Sequence, residues 1–182
     1  MSTGSFIVIE RILDSRHHLL ERIEKTYNDS FPPVERRDFS LLREFIDAKP
    51  HFEVFCLLRD DQYVGFITGW QLDGFVFAEH FAIDEAFRNG GVGAQAMDSF
   101  IAAHSMPVVL EVELPSDSLS KRRIGFYERL GFRLDNHEYF QPPYSEGDQP
   151  LELRLMTYGD LDLNQSFTDI RNAIYSKVYE VQ

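Results

Sequence analysis

The stretch FRNGGVGAQAM, residues 87–97, contains residue types that bind phosphate groups. Gly90, Gly91 and Gly93 let the backbone approach a ligand closely, and they open a run that favours a helix. The unpaired N–H groups and the positive dipole end of such a helix favour an anion, and Arg88 adds a charged donor. The stretch therefore predicts a site for pyrophosphate, or else a tight packing turn without a ligand.

Two nucleotide-binding folds could place glycines in this way. Residues 91–96 fit the form G-x-G-x-x-A of the dinucleotide fingerprint, and Glu111 follows about twenty residues later. In that fingerprint, however, a strand leads almost directly into the first glycine, whereas the polar loop DEAFRN separates Ile83 from Gly90 here. A P-loop needs a Lys-Ser/Thr pair after the glycines, and none follows. Both folds are therefore disfavoured.

Hydrophobic periodicity predicts the elements that position these residues, in the order β-α-α-β-β-β-α-β-α-β-β. Ser15 is predicted to cap the first helix, whose apolar face carries Leu19, Ile23 and Tyr27. The chain beyond Tyr158 repeats apolar residues at helical spacing, which predicts an additional helix. The predicted strands are 6–13, 52–60, 62–70, 75–83, 107–114, 132–140 and 151–158, and the other predicted helices are 39–48, 91–104 and 118–130.

A second motif, IGFYERLGF at residues 124–132, ends a predicted helix at Gly131. With this motif the sequence resembles the GNAT superfamily of acyl-CoA-dependent N-acyltransferases. Their cofactor signature, Gln/Arg-x-x-Gly-x-Gly/Ala, is matched by residues 88–93. Their later signature, an aromatic-Tyr pair before Leu-Gly-Phe, is matched by residues 126–132.

The resemblance implies an α/β (α+β) fold with a mixed, mostly antiparallel sheet of about seven strands, flanked by helices. The sheet would splay between the fourth strand, VFAEHFAI, and the fifth, PVVLEVEL. It implies a GNAT-like N-acetyltransferase domain over residues 1–159, followed by a C-terminal helical extension over 160–182. That extension packs onto its own domain or forms a homodimer contact, and both alternatives remain open.

The resemblance also implies that acetyl-CoA, as the co-substrate, lies in the splay of the sheet. Backbone N–H groups around Gly91 would bind its pyrophosphate, and one near Phe81 or Ala82 would bind the thioester oxygen. Many relatives carry Asn and Ala where this chain has Ser120 and Arg123. The run Lys121-Arg122-Arg123 contacts the adenosine phosphate or is a solvated helix face. The predicted cofactor-binding residues are Phe81, Ala82, Ile83, Arg88, Asn89, Gly90, Gly91, Val92, Gly93, Ala94, Ser120, Arg123 and Phe126.

The predicted chemistry requires a base and an acid, because a primary amine with a pKa of about 10.4 arrives protonated at neutral pH. Glu79, in the middle of the fourth strand, is the candidate general base, and His80 beside it is the competing candidate. Glu111 and Glu113 on the fifth strand are weaker candidates. The resemblance assigns Tyr127 the role of general acid for the CoA thiolate.

The acceptor is predicted to be a primary amine of a small molecule or a peptide. In the family the acceptor site is bordered by the loop between the first two helices and by the last hairpin. In this chain those segments carry Phe31, Glu35, Tyr139 and Tyr144, which are the predicted substrate-binding residues. The same residues could equally be ordinary loop packing.

Composition limits the other partners. A formal net charge of -12 and a pI near 4.8 oppose nucleic acid and anionic membranes as partners, and they favour a cationic substrate. The one cysteine, Cys56, lies in an apolar run and is interpreted as a buried residue. We expect no metal, no membrane span and a cytoplasmic location. An acyl-CoA sensor without turnover, or an interaction protein, remain the alternative functions.

Overall fold

The structure is a computed structural model that describes residues 6–182, so the first residues of the predicted domain 1–159 lie outside it. Eight strands are present in this part of the chain. They are β1 (Ile7–Ile12), β2 (Phe52–Arg59), β3 (Gln62–Leu72), β4 (Phe75–Ile83), β5 (Val108–Glu113), β6 (Arg133–Leu134), β7 (Tyr139–Gln141) and β8 (Leu151–Tyr158).

Five α-helices connect and flank the strands in the same range. They are α1 (Leu20–Ser30), α2 (Phe39–Ala48), α3 (Val92–Ala102), α4 (Ser118–Arg129) and α5 (Leu163–Lys177). The predicted order of elements is confirmed, and so is the additional helix beyond Tyr158. Short 3₁₀ turns at Pro33–Glu35 and Glu85–Phe87 are the remaining helical elements of residues 6–182.

The predicted cap of α1 is wrong. The helix begins at Leu20, and its N-cap residue, Leu19, makes no side-chain capping bond. Ser15 instead donates its backbone N–H and its hydroxyl to the carboxylate of Asp47, at 3.1 and 2.5 Å. The Asp47 carboxylate at the end of α2 is a stronger acceptor for the hydroxyl than a neutral carbonyl would be, so Ser15 ties two segments together.

The strands follow one another in the order β1-β2-β3-β4-β5-β8-β6, and β7 also pairs with β8. β4 and β5 are parallel, whereas β8 pairs with β5, β6 and β7 in antiparallel fashion. The register of β4 and β5 ends at the pair Ala78–Leu110, although both strands continue. These features confirm the mixed, mostly antiparallel sheet that splays between the fourth and fifth strands.

The number of strands differs slightly from the prediction because the segment FRLDNHEYF forms two short strands. Asp135 accepts the backbone N–H of His137 at 3.0 Å, and this local bond turns the chain between β6 and β7. Both strands still pair with β8.

The chain forms two compact units. Unit 1 contains the described part of Met1–Gly69 together with Glu79–Ser105, and unit 2 contains Trp70–Ala78 and Met106–Gln182. The fully buried side chains of unit 1 include Leu20, Ile23, Tyr27, Leu57, Phe66, Ile67, Met97 and Phe100. Those of unit 2 include Phe75, Phe77, Val108, Tyr139, Leu155, Met156 and Ile174. The domain boundary predicted between residues 159 and 160 stays a prediction.

Candidate active site

The glycine stretch of unit 1 forms a turn that leads into α3. Asn89 and Gly91 both adopt the left-handed conformation, with φ of 70° and 71°. Gly91 is the N-cap residue of α3, and no side chain caps this helix. A Cβ at Gly91 would meet no atom within 4 Å, so the positive φ is the local reason for glycine.

The N-terminus of α3 differs from those of α2, α4 and α5. Each of those three helices begins with an aspartate whose carboxylate accepts a backbone N–H of the first turn. At α3 the first-turn N–H groups belong to Val92, Gly93 and Ala94, which have no intrahelical acceptor and no capping side chain. These groups and the helix dipole suit an external anion.

Arg88 lies immediately before this turn. Its Nε donates to the carbonyl of Ile83, at the end of β4, at 3.0 Å. The bond ties the glycine turn to β4, which carries Phe81 and Ala82, the residues predicted to bind the thioester oxygen, and the predicted cofactor-binding residue Ile83. The Arg88 side chain is exposed, and it supplies a positive charge three residues before the N-cap residue of α3.

Glu79, the first candidate base, lies in a buried ion pair with Arg37. The side chains are 2% and 8% exposed, respectively, and Nη1 of Arg37 donates to Oε1 of Glu79. Arg37 is itself fixed through its backbone, because its N–H donates to the Tyr27 hydroxyl at 3.0 Å and its carbonyl accepts from that hydroxyl at 3.2 Å. The guanidinium favours the charged form of the carboxylate.

His80, the competing base, is buried against the loop between α1 and α2. Its Nε2 lies 2.9 Å from the carbonyl oxygen of Glu35. Because a carbonyl only accepts, Nε2 carries the proton, which makes Nδ1 the acceptor atom of the neutral ring. Burial lowers the pKa of His80, so the ring is neutral at pH 7. Phe31 and Tyr27 pack edge-on against it, with ring centroids 4.6 and 5.0 Å away.

Tyr127 of unit 2 lies in the last turn of α4. The helix ends in a Schellman motif, in which Gly131 has φ 96° and the N–H of Phe132 donates to the Tyr127 carbonyl at 3.1 Å. The rings of Tyr127 and Phe132 are in edge contact at 5.5 Å, and those of Tyr127 and Phe126 at 5.1 Å. This packing holds the Tyr127 ring in one place.

The hydroxyl of Tyr127 is chemically available. Within residues 6–182 it makes no hydrogen bond, although the residue is only 9% exposed. Tyr27, Tyr63 and Tyr139, which are also buried, all donate their hydroxyls to a protein acceptor. Burial raises the pKa of Tyr127 to about 12, so the phenol keeps its proton at neutral pH.

α4 also forms a positively charged cleft of about 440 Å³, lined by Leu119, Arg122, Arg123, Phe126 and Arg129. Arg123 forms an ion pair with Glu113 at 3.0 Å. Ser120, at the same end of the helix, is engaged in a capping box with Asp117, whose carboxylate accepts the Ser120 N–H at 2.8 Å. Three arginines and two apolar side chains therefore line the cleft together.

The predicted acceptor residues fall into both units. In unit 1, Phe31 and Glu35 both contact His80. In unit 2, Tyr139 is fully buried and donates its hydroxyl to Glu111 at 2.5 Å, while the ring of Tyr144 lies 5.4 Å from that of Tyr179. The role of all four residues at an acceptor site stays a prediction.

Comparisons with known proteins identify the family. The sequence profile of the Acetyltransferase (GNAT) family matches residues 20–132. A putative acetyltransferase of the GNAT family from Bacteroides thetaiotaomicron is 39% identical, with 96% of this chain and 99% of that chain covered and a TM-score of 0.93. This chain belongs to the GNAT family of acetyltransferases. A search of curated proteins returned no match.

Two more distant structures share the GNAT fold. Arabidopsis thaliana NAA60 in complex with acetyl-CoA is 19% identical, covers 84% of this chain and 97% of its own, and has a TM-score of 0.62. The ribosomal-protein-S18-alanine N-acetyltransferase from Escherichia coli is 16% identical, covers 84% of this chain and 93% of its own, and has a TM-score of 0.58. At these identities the likeness concerns the fold alone.

The structure of this GNAT protein adds residues that the sequence did not single out. Arg37 binds the candidate base Glu79, and Tyr27 fixes the backbone of Arg37. In unit 2, Gln141 and Tyr179 bind Glu111. Their partners lie 10 to 68 residues away in the sequence, so spacing gave no signal for them.

Metal binding and membrane insertion are the remaining properties to consider for residues 6–182. No group of three or more His, Cys, Asp or Glu side chains in this range could hold a metal ion. In the same described part of the chain, no helix has the length and apolar character needed to span a membrane.

Proposed function

We propose that this GNAT protein transfers the acetyl group of acetyl-CoA to a primary amine of a small molecule or a peptide. The observation that carries the proposal is the buried Tyr127 hydroxyl, which has no partner within residues 6–182 and is therefore available to a ligand. Membership of the family supports acetyl transfer as the reaction. Peptide amines are included because the E. coli neighbour is named for an alanine of a ribosomal protein.

Acetyl-CoA would be bound by the residues that the sequence motifs mark. The first-turn N–H groups of α3 and the charge of Arg88 suit its pyrophosphate. A backbone N–H near Phe81 or Ala82 would polarise the thioester carbonyl as negative charge develops on its oxygen. The arginines of the α4 cleft suit the adenosine phosphate. Ser120 and Arg123 would also bind the cofactor at this cleft, while Ser120 keeps its bond to Asp117 and Arg123 its bond to Glu113.

The reaction is direct attack in a ternary complex. The deprotonated amine attacks the thioester carbon and forms the new C–N bond, and the C–S bond then breaks. The CoA sulfur leaves as a thiolate, and Tyr127 donates a hydrogen bond that strengthens as charge reaches the sulfur. The phenol suits this role because its raised pKa keeps the proton in place until that moment.

We favour His80 over Glu79 as the group that receives the proton of the amine, directly or through water. Glu79 is bound to a guanidinium, and its protonation would remove the negative charge that Glu79 presents to the buried Arg37 side chain. His80 is neutral, and its Nδ1 is the acceptor atom of the ring. Burial lowers the pKa of His80, and the neighbouring negative charge of Glu79 opposes part of this shift by favouring the imidazolium form.

The proposal is tested by mixing the protein with acetyl-CoA and a panel of primary amines, including N-terminally free peptides, and measuring the release of CoA thiol. Mass spectrometry of the acceptor must show a gain of one acetyl group. Acetyl-CoA binding without transfer to any amine would indicate a sensor and would contradict the enzymatic proposal. Among the base candidates, His80→Gln is expected to lower kcat by about 10² to 10⁴, and a loss confined to Glu79→Gln would reverse the assignment.

A further inference from the structure

Tyr27 lies on the buried face of α1 in unit 1, and its hydroxyl makes two bonds to one residue. The oxygen accepts the backbone N–H of Arg37 at 3.0 Å, and the hydroxyl donates to the Arg37 carbonyl at 3.2 Å. The side chain is 0% exposed, so both bonds are shielded from water. A phenylalanine would fill the same space, and the hydroxyl therefore serves the bonds to Arg37 rather than the packing of α1.

The segment that Tyr27 holds joins the 3₁₀ turn at Pro33–Glu35 to α2. Arg36 in this segment is extended, with φ of -150° and ψ of 158°. Buried backbone N–H and C=O groups need hydrogen-bond partners, and at the buried residue Arg37 the Tyr27 hydroxyl binds one group of each kind. Tyr27 thus fixes the path of the chain two residues after Glu35.

The same segment binds His80 through Glu35. The Glu35 carbonyl lies 2.9 Å from Nε2 of His80, and this bond selects the neutral tautomer that carries its proton on Nε2. In the other neutral tautomer, the lone pair of Nε2 would face the carbonyl oxygen, and two acceptor atoms would meet without a proton between them. The tautomer of His80 therefore depends on where the loop places one backbone carbonyl.

The ring of Tyr27 also restricts the imidazole of His80. The two rings are 5.0 Å apart at an interplanar angle of 70°, and Phe31 packs on the same imidazole at 4.6 Å and 79°. Tyr27 is itself held by Phe39 and Phe66, at 5.5 and 6.0 Å. One side chain thus contacts the His80 ring directly and, through its hydroxyl, fixes the segment that His80 binds.

The Tyr27 hydroxyl keeps its proton while His80 titrates. Burial raises the pKa of Tyr27 well above its ordinary value, and the negative charge of Glu79 raises it further. The phenol therefore remains a donor to the Arg37 carbonyl at neutral pH.

We propose that Tyr27 is a positioning residue for proton transfer to His80. Its hydroxyl holds the backbone of Arg37, and through it the Glu35 carbonyl that keeps the proton of the neutral imidazole on Nε2. Nδ1 is then the nitrogen that accepts the proton of the amine, which gives the imidazolium. This inference rests on the proposed acetyl transfer. It adds that the loop between α1 and α2 determines which nitrogen of the base accepts the proton.

Tyr63 is the matched control for Tyr27. It is also buried in unit 1, and its hydroxyl donates to Oγ1 of Thr26 in the same helix at 3.0 Å. Within residues 6–182 it makes no hydrogen bond or ring contact with Arg37 or His80. Replacement of either tyrosine by phenylalanine removes one buried hydroxyl and keeps the ring, so only an effect on the loop distinguishes the two variants.

The first test needs no acceptor amine. In protein labelled with ¹⁵N in its histidine rings, the His80 signals are identified by their loss in His80→Gln, and their chemical shifts report which nitrogen carries the proton. At about pH 8, where a neutral ring is expected, wild type and Tyr63→Phe should carry the proton on Nε2. Tyr27→Phe should show the averaged shifts of a tautomer mixture. A proton on Nδ1 in wild type, or identical His80 shifts in wild type and Tyr27→Phe, would overturn the inference.

The second test compares steady-state kinetics with the best primary amine from the panel. Tyr27→Phe is expected to lower kcat by about 10- to 100-fold with the KM for acetyl-CoA unchanged, because the base is misplaced while the cofactor site is intact. Tyr63→Phe is expected to keep both values. An unchanged kcat in Tyr27→Phe would overturn the positioning role. If no amine is acetylated, the proposed function fails on that count, while the NMR comparison still decides whether Tyr27 sets the tautomer of His80.

Discussion

Arg37 and Glu79 form an ion pair within unit 1 in which neither side chain is more than 8% exposed. Arg37 follows the 3₁₀ turn at Pro33–Glu35, and Glu79 lies in β4, so the pair fastens the loop between α1 and α2 to the strand that carries both candidate bases. His80 strengthens the same connection through the carbonyl of Glu35. The loop that carries Phe31 and Glu35 is therefore held by charge as well as by packing.

Breaking this ion pair should be costly. Arg37→Met removes the positive charge of Arg37 from the buried Glu79 carboxylate, and we expect the free energy of unfolding to fall by about 3 to 5 kcal/mol. The double variant Arg37→Met/Glu79→Met should lose less, because both charges of this ion pair are removed together. Urea unfolding followed by circular dichroism measures the free energy of unfolding of both variants. A loss below about 1 kcal/mol in Arg37→Met would mean that the pair behaves like an exposed one.

Removing the Tyr127 hydroxyl should affect the chemical step. Tyr127→Phe keeps the packed ring and is expected to lower kcat by about 10² to 10⁴ while the affinity for acetyl-CoA is retained. Tyr158→Phe is the matched control, because Tyr158 also packs against Phe132 in unit 2 and makes no hydrogen bond through its hydroxyl within residues 6–182. Steady-state kinetics give kcat, and calorimetry gives the affinity for acetyl-CoA. Equal rates in wild type and Tyr127→Phe would remove Tyr127 from the mechanism.

His104 should make the stability of unit 1 depend on pH. Its Nδ1 donates to the Phe100 carbonyl and its Nε2 to the Glu53 carboxylate, each at 2.8 Å, so both nitrogens carry protons. Burial lowers the pKa of His104, but the hydrogen bonds to Glu53 and Phe100 outweigh burial, and the pKa is raised above 6.5. The stabilisation that His104 gives to the folded protein is therefore fully present below the pKa of His104 in the unfolded protein. It is lost as pH rises through the pKa of His104 in the folded protein.

The corresponding measurement compares wild type with His104→Gln by urea unfolding at about pH 6 and about pH 9. We expect the variant to lose about 1.5 to 3 kcal/mol at the lower pH and distinctly less at the higher pH. If the difference in free energy of unfolding between wild type and His104→Gln stayed constant, or grew as pH rises, it would contradict the charged state of His104.

Cys56 should be unreactive in the folded protein. It is fully buried in β2, and burial raises the pKa of its thiol to about 11, so the nucleophilic thiolate is scarce at neutral pH. A disulfide exchange reagent such as DTNB is expected to react with native protein at least about 100 times more slowly than with urea-unfolded protein. Fast reaction of the native protein would show that β2 opens readily.

The sequence predicted the order of the helices and strands because the signals for these elements are local, whereas the resemblance to the family predicted the sheet. The Asp60-Asp61 turn between β2 and β3, the periodicity of α2 and the Gly131 C-terminus of α4 each depend on residues within a few positions. The prediction that Ser15 caps α1 was wrong because Asp47, 32 residues away, binds it instead. The same limit applied to FRLDNHEYF, where one Asp135 hydrogen bond divides a predicted strand in two.

Only the parts of the candidate site that lie in short sequence motifs could be predicted. The glycine turn and Tyr127 follow from short patterns, and the structure adds the positive φ of Gly91 and the unengaged hydroxyl of Tyr127. The ion pair of Glu79 could not be predicted, because Arg37 lies 42 residues away and nothing in the sequence couples the two. The bonds of Glu111 to Tyr139 and Tyr179 span 28 and 68 residues, and only the fold brings them together.

The most direct test of the central claim is calorimetric titration of acetyl-CoA into wild type, Gly91→Val and Gly74→Val. Both glycines have a positive φ, and a Cβ at either position would point into open space, so both substitutions carry a similar backbone strain. Only Gly91 lies at the N-terminus of α3, since Gly74 lies between β3 and β4. We expect micromolar binding of acetyl-CoA to wild type and to Gly74→Val, and loss of this binding in Gly91→Val. Absence of binding to wild type, or equal affinity in all three proteins, would contradict it.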